Sequence, residues 1–401
     1  VILDSLELPS TWRRSPVSAH FRRVSRKGFD DKPLLSVYRE HGVVPRGFTG
    51  DNWNLMPTDL TAYQLVEPGD LAVNKMKAWQ GSLGLSQLEG VVSPAYFIYT
   101  PVSLSFDERY LNYLIRSRLL AAEFARLSDG VRPQQWDLDP KAFERVPLPE
   151  PPMKEQRRIA DYLDRETATI DTLIDKQIAH VGLLRERRLA AQNWAVMGLD
   201  LDSELIDGEQ VPVGWTSAPI KRVLESLDSR RVPLNADERG ARQGSFPYYG
   251  ASGVIDSVDD YLFDEDLVLV GEDGANLLNR STPLAFVAYG RYWVNNHAHV
   301  LRPKFGPAEF WAARIEALDV SPVVSGSAQP KLTADALMAL RISWPEKPDD
   351  MTRIAEAINR ETAKIDALIA KAERFIELAQ ERRAALITAA VTGQIEIPTE
   401  D

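Results

Sequence analysis

Residues 158–198 and 353–393 are two versions of one segment. RIADYLDRETATIDTLIDKQIAHVGLLRERRLAAQNWAVMG and RIAEAINRETAKIDALIAKAERFIELAQERRAALITAAVTG align without a gap at an offset of 195, and 20 of the 41 positions are identical. Solenoid repeats have periods of about 20–50 residues, so a repeat this widely spaced means two copies of a domain-plus-helix unit. The duplication reaches upstream as well: Pro9, Trp12, Pro16 and Val17 recur as Pro212, Trp215, Pro219 and Ile220. The rest of each half has diverged almost completely. Helices retained twice imply one task done twice, and diverged globular parts imply two different tasks.

Each copy opens after a proline-rich entry, VPLPEPP (146–152) or ISWPEKP (342–348), and closes at Gly198 or Gly393. Proline just before and glycine just after a periodic segment are helix boundary signals. Ile354, Ile358, Ile365, Leu368, Ala372, Phe375, Ala379 and Leu386 fall near a 3.5-residue spacing, as do Ile159, Leu163, Ile170, Leu173, Val181 and Leu184 in the first copy. That period predicts a coiled-coil seam. The first helix must feed a globular domain that feeds the second, so antiparallel pairing is the economical topology. The expected fold class is therefore α+β: two mixed α/β target-recognition domains separated by two long helices that form an antiparallel coiled coil, a pseudo-twofold internal repeat with the domains at opposite ends of a rod. The expected boundaries are 1–146, 147–204, 205–342 and 343–401. Strands are expected within 71–101 and 261–303, with one amphipathic helix over 107–127 and another over 307–319.

Composition narrows the chemistry. The chain has 401 residues and no cysteine, which excludes disulfides and cysteine-based metal sites and fits a reducing cytoplasm. Five histidines with no HExxH spacing predict no metal site. Neither a membrane-spanning apolar run nor a signal peptide is present, and Val1 in place of Met implies a processed or missing start. The net charge is -11, yet residues 1–145 hold 18 Lys+Arg against 17 Asp+Glu, while residues 205–341 hold 13 against 18. With no strongly basic region, the isolated chain should grip DNA weakly and rely on a partner for phosphate contacts. No phosphate-binding GxxxxGK[ST] loop, GxSxG elbow, catalytic Cys or Asn/Asp-Pro-Pro-aromatic tetrapeptide occurs, so no catalytic residue is expected. The chain reads as a recogniser without its own chemistry.

Two variable domains alternating with near-identical long helices, each introduced by a proline-rich entry (PLPEPPMKEQRRIADYLD, SWPEKPDDMTRIAEAIN) and leaving through ERR…AV.G, resemble the DNA-specificity subunit of Type I restriction-modification systems. NKMKAWQG…VSPAY is similar to first domains of that family, and Gly253, IDSVDDYLF and VNNHAHVL are similar to second domains. The second entry departs from the family's usual Glu-Gln in having Asp350-Met351. The resemblance implies that each domain reads half of a bipartite duplex DNA site in the major groove, while the helices set the spacing and hold methyltransferase subunits, two of them. It also implies restriction (translocase/endonuclease) subunits as further partners. No cofactor would be bound by this chain; S-adenosylmethionine, ATP and Mg would belong to the partners.

Candidate DNA contacts are residue types that match phosphates and base edges. In the first half they are Lys75, Lys77 and Gln80 at a strand end, and Arg132, Gln134 and Gln135 after Gly130. In the second half they are Asn295, Asn296 and His297 after the strand RYWV, and Ser327, Gln329 and Lys331 after Gly326. A solvated strand edge or ordinary turns would use the same residues. Candidate docking residues for a partner met twice are Glu166, Glu186, Arg187 and Arg188, with their counterparts Glu361, Glu381, Arg382 and Arg383; solvated helix faces are the alternative. Two rival functions remain at this stage. One is a coiled-coil spacer that holds two proteins apart without reading bases, and the other is a nuclease or methyltransferase with an unrecognised site.

Overall fold

The repeated Pro-x-x-Trp motif becomes the strand that closes each globular part at the entrance of a long helix. In the computed structural model, Arg13–Pro16 pairs antiparallel with Pro147–Glu150, and Trp215–Pro219 pairs antiparallel with Arg341–Pro345. The next residue makes the same backbone bond in both halves, Val17 N–H to Val146 O at 3.0 Å and Ile220 N–H to Leu340 O at 2.8 Å. The structure describes residues 3, 6–39, 41–47, 59–132, 135–197, 202–206, 209–326 and 329–398. They divide into two units: Val1–Ile178 with Arg374–Asp401, and Ala179–Glu373.

Diverged sequences have kept a common sheet. The first unit holds a four-stranded antiparallel sheet in the order Phe21–Val24, Tyr96–Pro101, Leu71–Asn74, Leu83–Leu85. The second holds its counterpart, ordered Leu224–Ser226, Ala298–Pro303, Leu267–Gly271, Ala285–Ala288. Their central strands read LAVN and LVLVG and are apolar on both faces, as strands covered on both sides must be. Helices cover one face through Leu111, Leu114, Leu120 and Phe124 in the first unit and Phe310, Trp311 and Ile315 in the second. The second unit adds a sheet of Gly253–Val258, Phe246–Gly250, Arg291–Val294 and Phe263–Asp264, in which Tyr248 and Trp293 pair in parallel.

The single helix expected over 107–127 is two. Glu108–Ile115 and Arg118–Arg126 are separated at Ser117, whose hydroxyl accepts from Leu120 N–H and caps the second piece. Apolar periodicity runs through both pieces and hides the break; the serine cap is what makes it. In the second half the helix is Ala308–Glu316.

The long helices are Met153–Met197 and Pro348–Val391, and each unit holds part of both. In the second unit Arg185 meets Glu373 at 2.9 Å and Arg188 meets Asp366 at 2.7 Å, so the chain directions oppose. In the first unit Arg383 meets Asp171 at 2.8 Å, and Ile159, Ala160 and Leu163 share a core with Ile387, Ala390 and Val391. The buried seam follows the expected 3.5 period with two shifts. Leu173 is 44% exposed while Ile174 is 8% exposed, and Leu368 and Phe375 are exposed whereas their neighbours Ile369 and Ile376 are partly covered. Thr167 and Thr362 are buried on the seam, each hydroxyl donating to the carbonyl four residues back, Leu163 O at 2.7 Å and Ile358 O at 2.8 Å. That local bond lets a polar residue occupy an apolar stripe.

Gly393 ends the second helix for two reasons. Its φ of +70° lies in the left-handed region, and a Cβ there would stand 2.6 Å from Pro9. Gly198, the matching expectation, lies outside the described residues. The helix entrances differ. Gln156 is fully buried and accepts from Asp107 N–H at 2.7 Å while donating to Ser105 O at 2.9 Å and Pro151 O at 2.8 Å. Its counterpart Met351 is buried in the apolar core of the second unit with Trp311. The departure at Asp350-Met351 thus exchanges a hydrogen-bonded joint inside the chain for an apolar one.

Candidate nucleic-acid interface

In the first unit the strand Leu71–Asn74 ends in a turn stabilised by Asn74, whose Oδ1 accepts from Met76 N–H at 3.2 Å and whose Nδ2 donates to Tyr96 OH at 3.2 Å. Lys75 is half-buried on this turn; Lys77 and Gln80 are exposed, with Gln80 in the short 3-10 turn Ala78–Gln80. The hairpin Ser128–Arg132/Gln135–Leu138 lies beside that turn. Trp79 and Trp136 meet across them with ring centroids 5.2 Å apart, and Lys75 Nζ reaches Asp137 at 3.3 Å. Gln134 and the side chains of Arg132 and Gln135 lie outside the described residues.

The second unit gathers its candidates around Glu272, which follows the strand Leu267–Gly271. Glu272 N–H donates to His297 O at 2.9 Å, Leu332 N–H donates to Glu272 O at 2.8 Å, and Gly274 N–H donates to Pro330 O at 3.0 Å. These bonds join the 295–297 turn to the 325–331 loop. Asn296, His297, Gln329 and Lys331 are exposed there, and Ser327 lies outside the described residues. Asn295 is buried and its Oδ1 accepts from His297 N–H at 2.8 Å, so this side chain builds the turn and does not face solvent. His297 Nδ1 lies 2.8 Å from Asp273, whereas the buried His299 lies 2.6 Å from Asp228 and 2.9 Å from Leu332 O. The His-x-His spacing is therefore divided between two carboxylates.

Three residues that pattern reading passed over hold this arrangement. Arg231 donates to Glu272 at 2.7 Å and to Ala298 O at 2.7 Å, and Asp228 accepts from Val300 N–H at 2.8 Å. Burial presses against the charge of Glu272, but Arg231, His299 and Lys331 outweigh it and hold the carboxyl below its ordinary value. Asp228 behaves likewise, burial being outweighed by His299, Val300 N–H and Arg231. The one available sequence signal was an acid immediately after an all-apolar strand.

Of the docking candidates, Glu186, Arg187, Glu381 and Arg382 are exposed and Glu166 is partly so. Glu361 pairs within its own helix with Lys364 at 2.6 Å. Arg188 and Arg383 are engaged between the two helices. Among the described residues, no helix is long and apolar enough to cross a membrane.

Residues 212–376 match the family model of the Type I restriction modification DNA specificity domain. The second half carries that domain. A Haemophilus influenzae protein provisionally named type I restriction enzyme specificity subunit S.HindORF215P is 29% identical over 165 residues, 40% of each chain. The Escherichia coli type I restriction enzyme EcoDI specificity subunit is 20% identical over 188 residues, 46% of this chain and 40% of its own. The chain thus aligns with about two-fifths of the length of these curated relatives. In fold it is similar to a solved chain of a type I R-M system studied for complex assembly and conformational transition, with TM-score 0.62 at 13% identity, covering 97% of this chain and 100% of that one. The resemblance to Type I specificity subunits holds in sequence for the specificity domain and in fold along nearly the whole chain.

Proposed function

We propose that this chain is the non-catalytic, sequence-specific DNA-recognition subunit of a Type I restriction-modification complex. The observation that carries the reading is the specificity-domain match over 212–376 on a chain whose first half repeats the same four-stranded sheet order. Residues 1–146 and 205–342 serve as two target-recognition domains, and 147–204 and 343–401 as the helical spacers. The readers in the first are Lys77, Gln80, Arg132, Gln134 and Gln135; in the second they are Asn296, His297, Ser327 and Gln329. Lys75 and Lys331, already paired to carboxylates, stand apart from these. Glu166, Glu186, Arg187, Glu381 and Arg382 serve as docking positions for methyltransferase subunits, probed twice because the helix occurs twice. Catalysis, with S-adenosylmethionine, ATP and Mg, belongs to those methyltransferase and restriction partners, and the complex works in the cytoplasm. A bare spacer is not favoured, because the exposed second-half loops are polar, as base reading requires.

The test is coexpression with the cognate methyltransferase subunit in a methylation-free host, followed by methylome sequencing. A bipartite adenine-methylation motif that disappears without this chain is expected. Methylation indifferent to its presence overturns the reading.

A further inference from the structure

The two halves share one more device, visible only once their loops are aligned by hydrogen bonding. Lys75 follows its strand, donates its N–H to Ala95 O at 3.1 Å, and accepts at its own carbonyl from Leu138 N–H at 2.9 Å. Glu272 does the same in the second half, donating to His297 O at 2.9 Å and accepting from Leu332 N–H at 2.8 Å. Lys75 and Glu272 are therefore equivalent, and so are Leu138 and Leu332. One residue earlier stand Asp137 and Lys331. Asp137 faces Asp129, followed by Gly130, and Lys331 faces Ser325, followed by Gly326. One residue beyond the leucines, Asp139 and Thr333 each cap a short helix, Pro140–Glu144 and Ala334–Ala339.

At these equivalent positions the charges are exchanged. Lys75 Nζ lies 3.3 Å from Asp137, and Lys331 Nζ lies 3.2 Å from Glu272. Each pair ties the sheet to the loop that leaves it: 130–136 in the first half, 326–330 in the second. At the second loop Gly326 has φ +86°, and a Cβ there would stand 2.5 Å from Gln329 O, so the backbone closes too tightly to be held by any larger residue.

We propose that Lys75–Asp137 and Glu272–Lys331 are two copies of one electrostatic clasp with its polarity reversed, and that its lysines position the reading loops instead of contacting DNA. This rests on the DNA-reading function proposed above. A lysine held to a carboxylate carries no net charge to a phosphate, and a retained pair with swapped signs is what a requirement for attraction, and not for a cation at a given place, leaves behind. The reversal also matches each loop to its own sheet: exchanging one loop between halves would set Lys75 against Lys331, or Glu272 against Asp137.

The first clasp is the one to test, since Lys75 and Asp137 are 31% and 54% exposed and tolerate substitution, while Glu272 is 12% exposed and also holds Arg231. K75E, D137K and K75E/D137K are compared in the full chain with its methyltransferase subunit. Each single reversal is expected to lower methylation about three- to ten-fold through one half-site only, from loss of an exposed pair plus like-charge repulsion. The double variant is expected to recover to within about two-fold of the parent. A double variant as weak as K75E, or a D137K that binds better than the parent, shows that Lys75 is a phosphate contact and overturns the clasp. Amide exchange at Leu138 in the purified chain reads the clasp without DNA: faster in each single variant, restored in the double. If the parent complex methylates no bipartite site but exchange follows this pattern, the functional reading fails and the clasp stands. Unchanged exchange in all three variants removes it.

Discussion

Arg188 and Asp366 lie 2.7 Å apart across the long helices, and the same bond recurs in the other unit between Arg383 and Asp171 at 2.8 Å. The offset of 195 that relates the two helix copies converts each partner of the first pair into a partner of the second. Duplication of an antiparallel helix pair makes this automatic: any residue of one copy that bonds the other copy generates its own reciprocal. Retention of the Glu-Arg-Arg triplet in both copies thus has a cause inside the chain for its last arginine.

Exposed pairs of this kind contribute about 0.2–1 kcal/mol. In a double-mutant cycle of R188A and D366A, the coupling should fall in that range and match the coupling of R383A with D171A. Urea unfolding of the four singles and two doubles measures both; couplings of opposite sign would break the equivalence.

The position of the seam is open to a sharper comparison. Ile174 is buried and Leu173 is not, although the two are adjacent and equally apolar. Ile174→Ala should cost about 2–5 kcal/mol. Leu173→Ala should stay within about 0.5 kcal/mol. Equal losses would place the seam between them.

That register shows what was legible. The repeat, both helix lengths and the antiparallel pairing followed from spacing and proline punctuation, since these are local and periodic. Threonine at 167 and 362 could not be recognised as seam because its fitness depends on a back-bond to a carbonyl one turn away. The common sheet was invisible for a different reason. Its strands conserve only apolarity, and loops of unequal length separate them. The clasp was hidden further, because equivalent positions carry opposite charges. Lysine at 75 and 331 was read correctly as a residue near the reading loops, yet its partner carboxylates lie far away in sequence.

The helix entrances provide a third prediction. Gln156→Met reproduces the residue of the second copy but leaves Asp107 N–H, Ser105 O and Pro151 O without their partner. Each buried unsatisfied group costs about 1–3 kcal/mol, so the variant should be destabilised by several kcal/mol despite matching its own repeat. A thermal melt indistinguishable from the parent would show that water or backbone rearrangement replaces the glutamine.

Asp228 gives a pH-dependent prediction. Its carboxyl is held below the ordinary aspartate value of about 3.9 by His299, Val300 N–H and Arg231 against the opposing effect of burial. A depressed folded value means stability present above the unfolded value and lost as pH falls through the folded one. The stability gap between the parent and Asp228→Asn should therefore be level from about pH 5 to 6 and close progressively below about pH 4. Denaturation midpoints across that range measure it, and a gap unchanged at about pH 3 would remove the linkage.

The last prediction concerns the independence of the two heads. Asn296, His297 and Gln329 are exposed on loops joined through Glu272 in one unit, whereas Lys77 and Gln80 are exposed beside the Trp79–Trp136 contact in the other. None of the five shares a hydrogen bond with the other group among the described contacts, so their effects should separate by half-site. Loss of a bidentate base contact removes about 1–3 kcal/mol of discrimination, roughly five- to 150-fold. Gln80→Ala should relax the bases methylated in one half of the motif and leave the other half as stringent as in the parent; Asn296→Ala or Gln329→Ala should do the reverse. Asn295→Ala serves as the contrast. Because that side chain builds the turn and is buried, its loss should lower stability and blur the same half as Asn296→Ala by misplacing the loop. Methylome sequencing of each variant complex reads the two halves separately. Relaxation spread equally over both halves by Gln80→Ala or Asn296→Ala would make these residues scaffold, whatever their exposure.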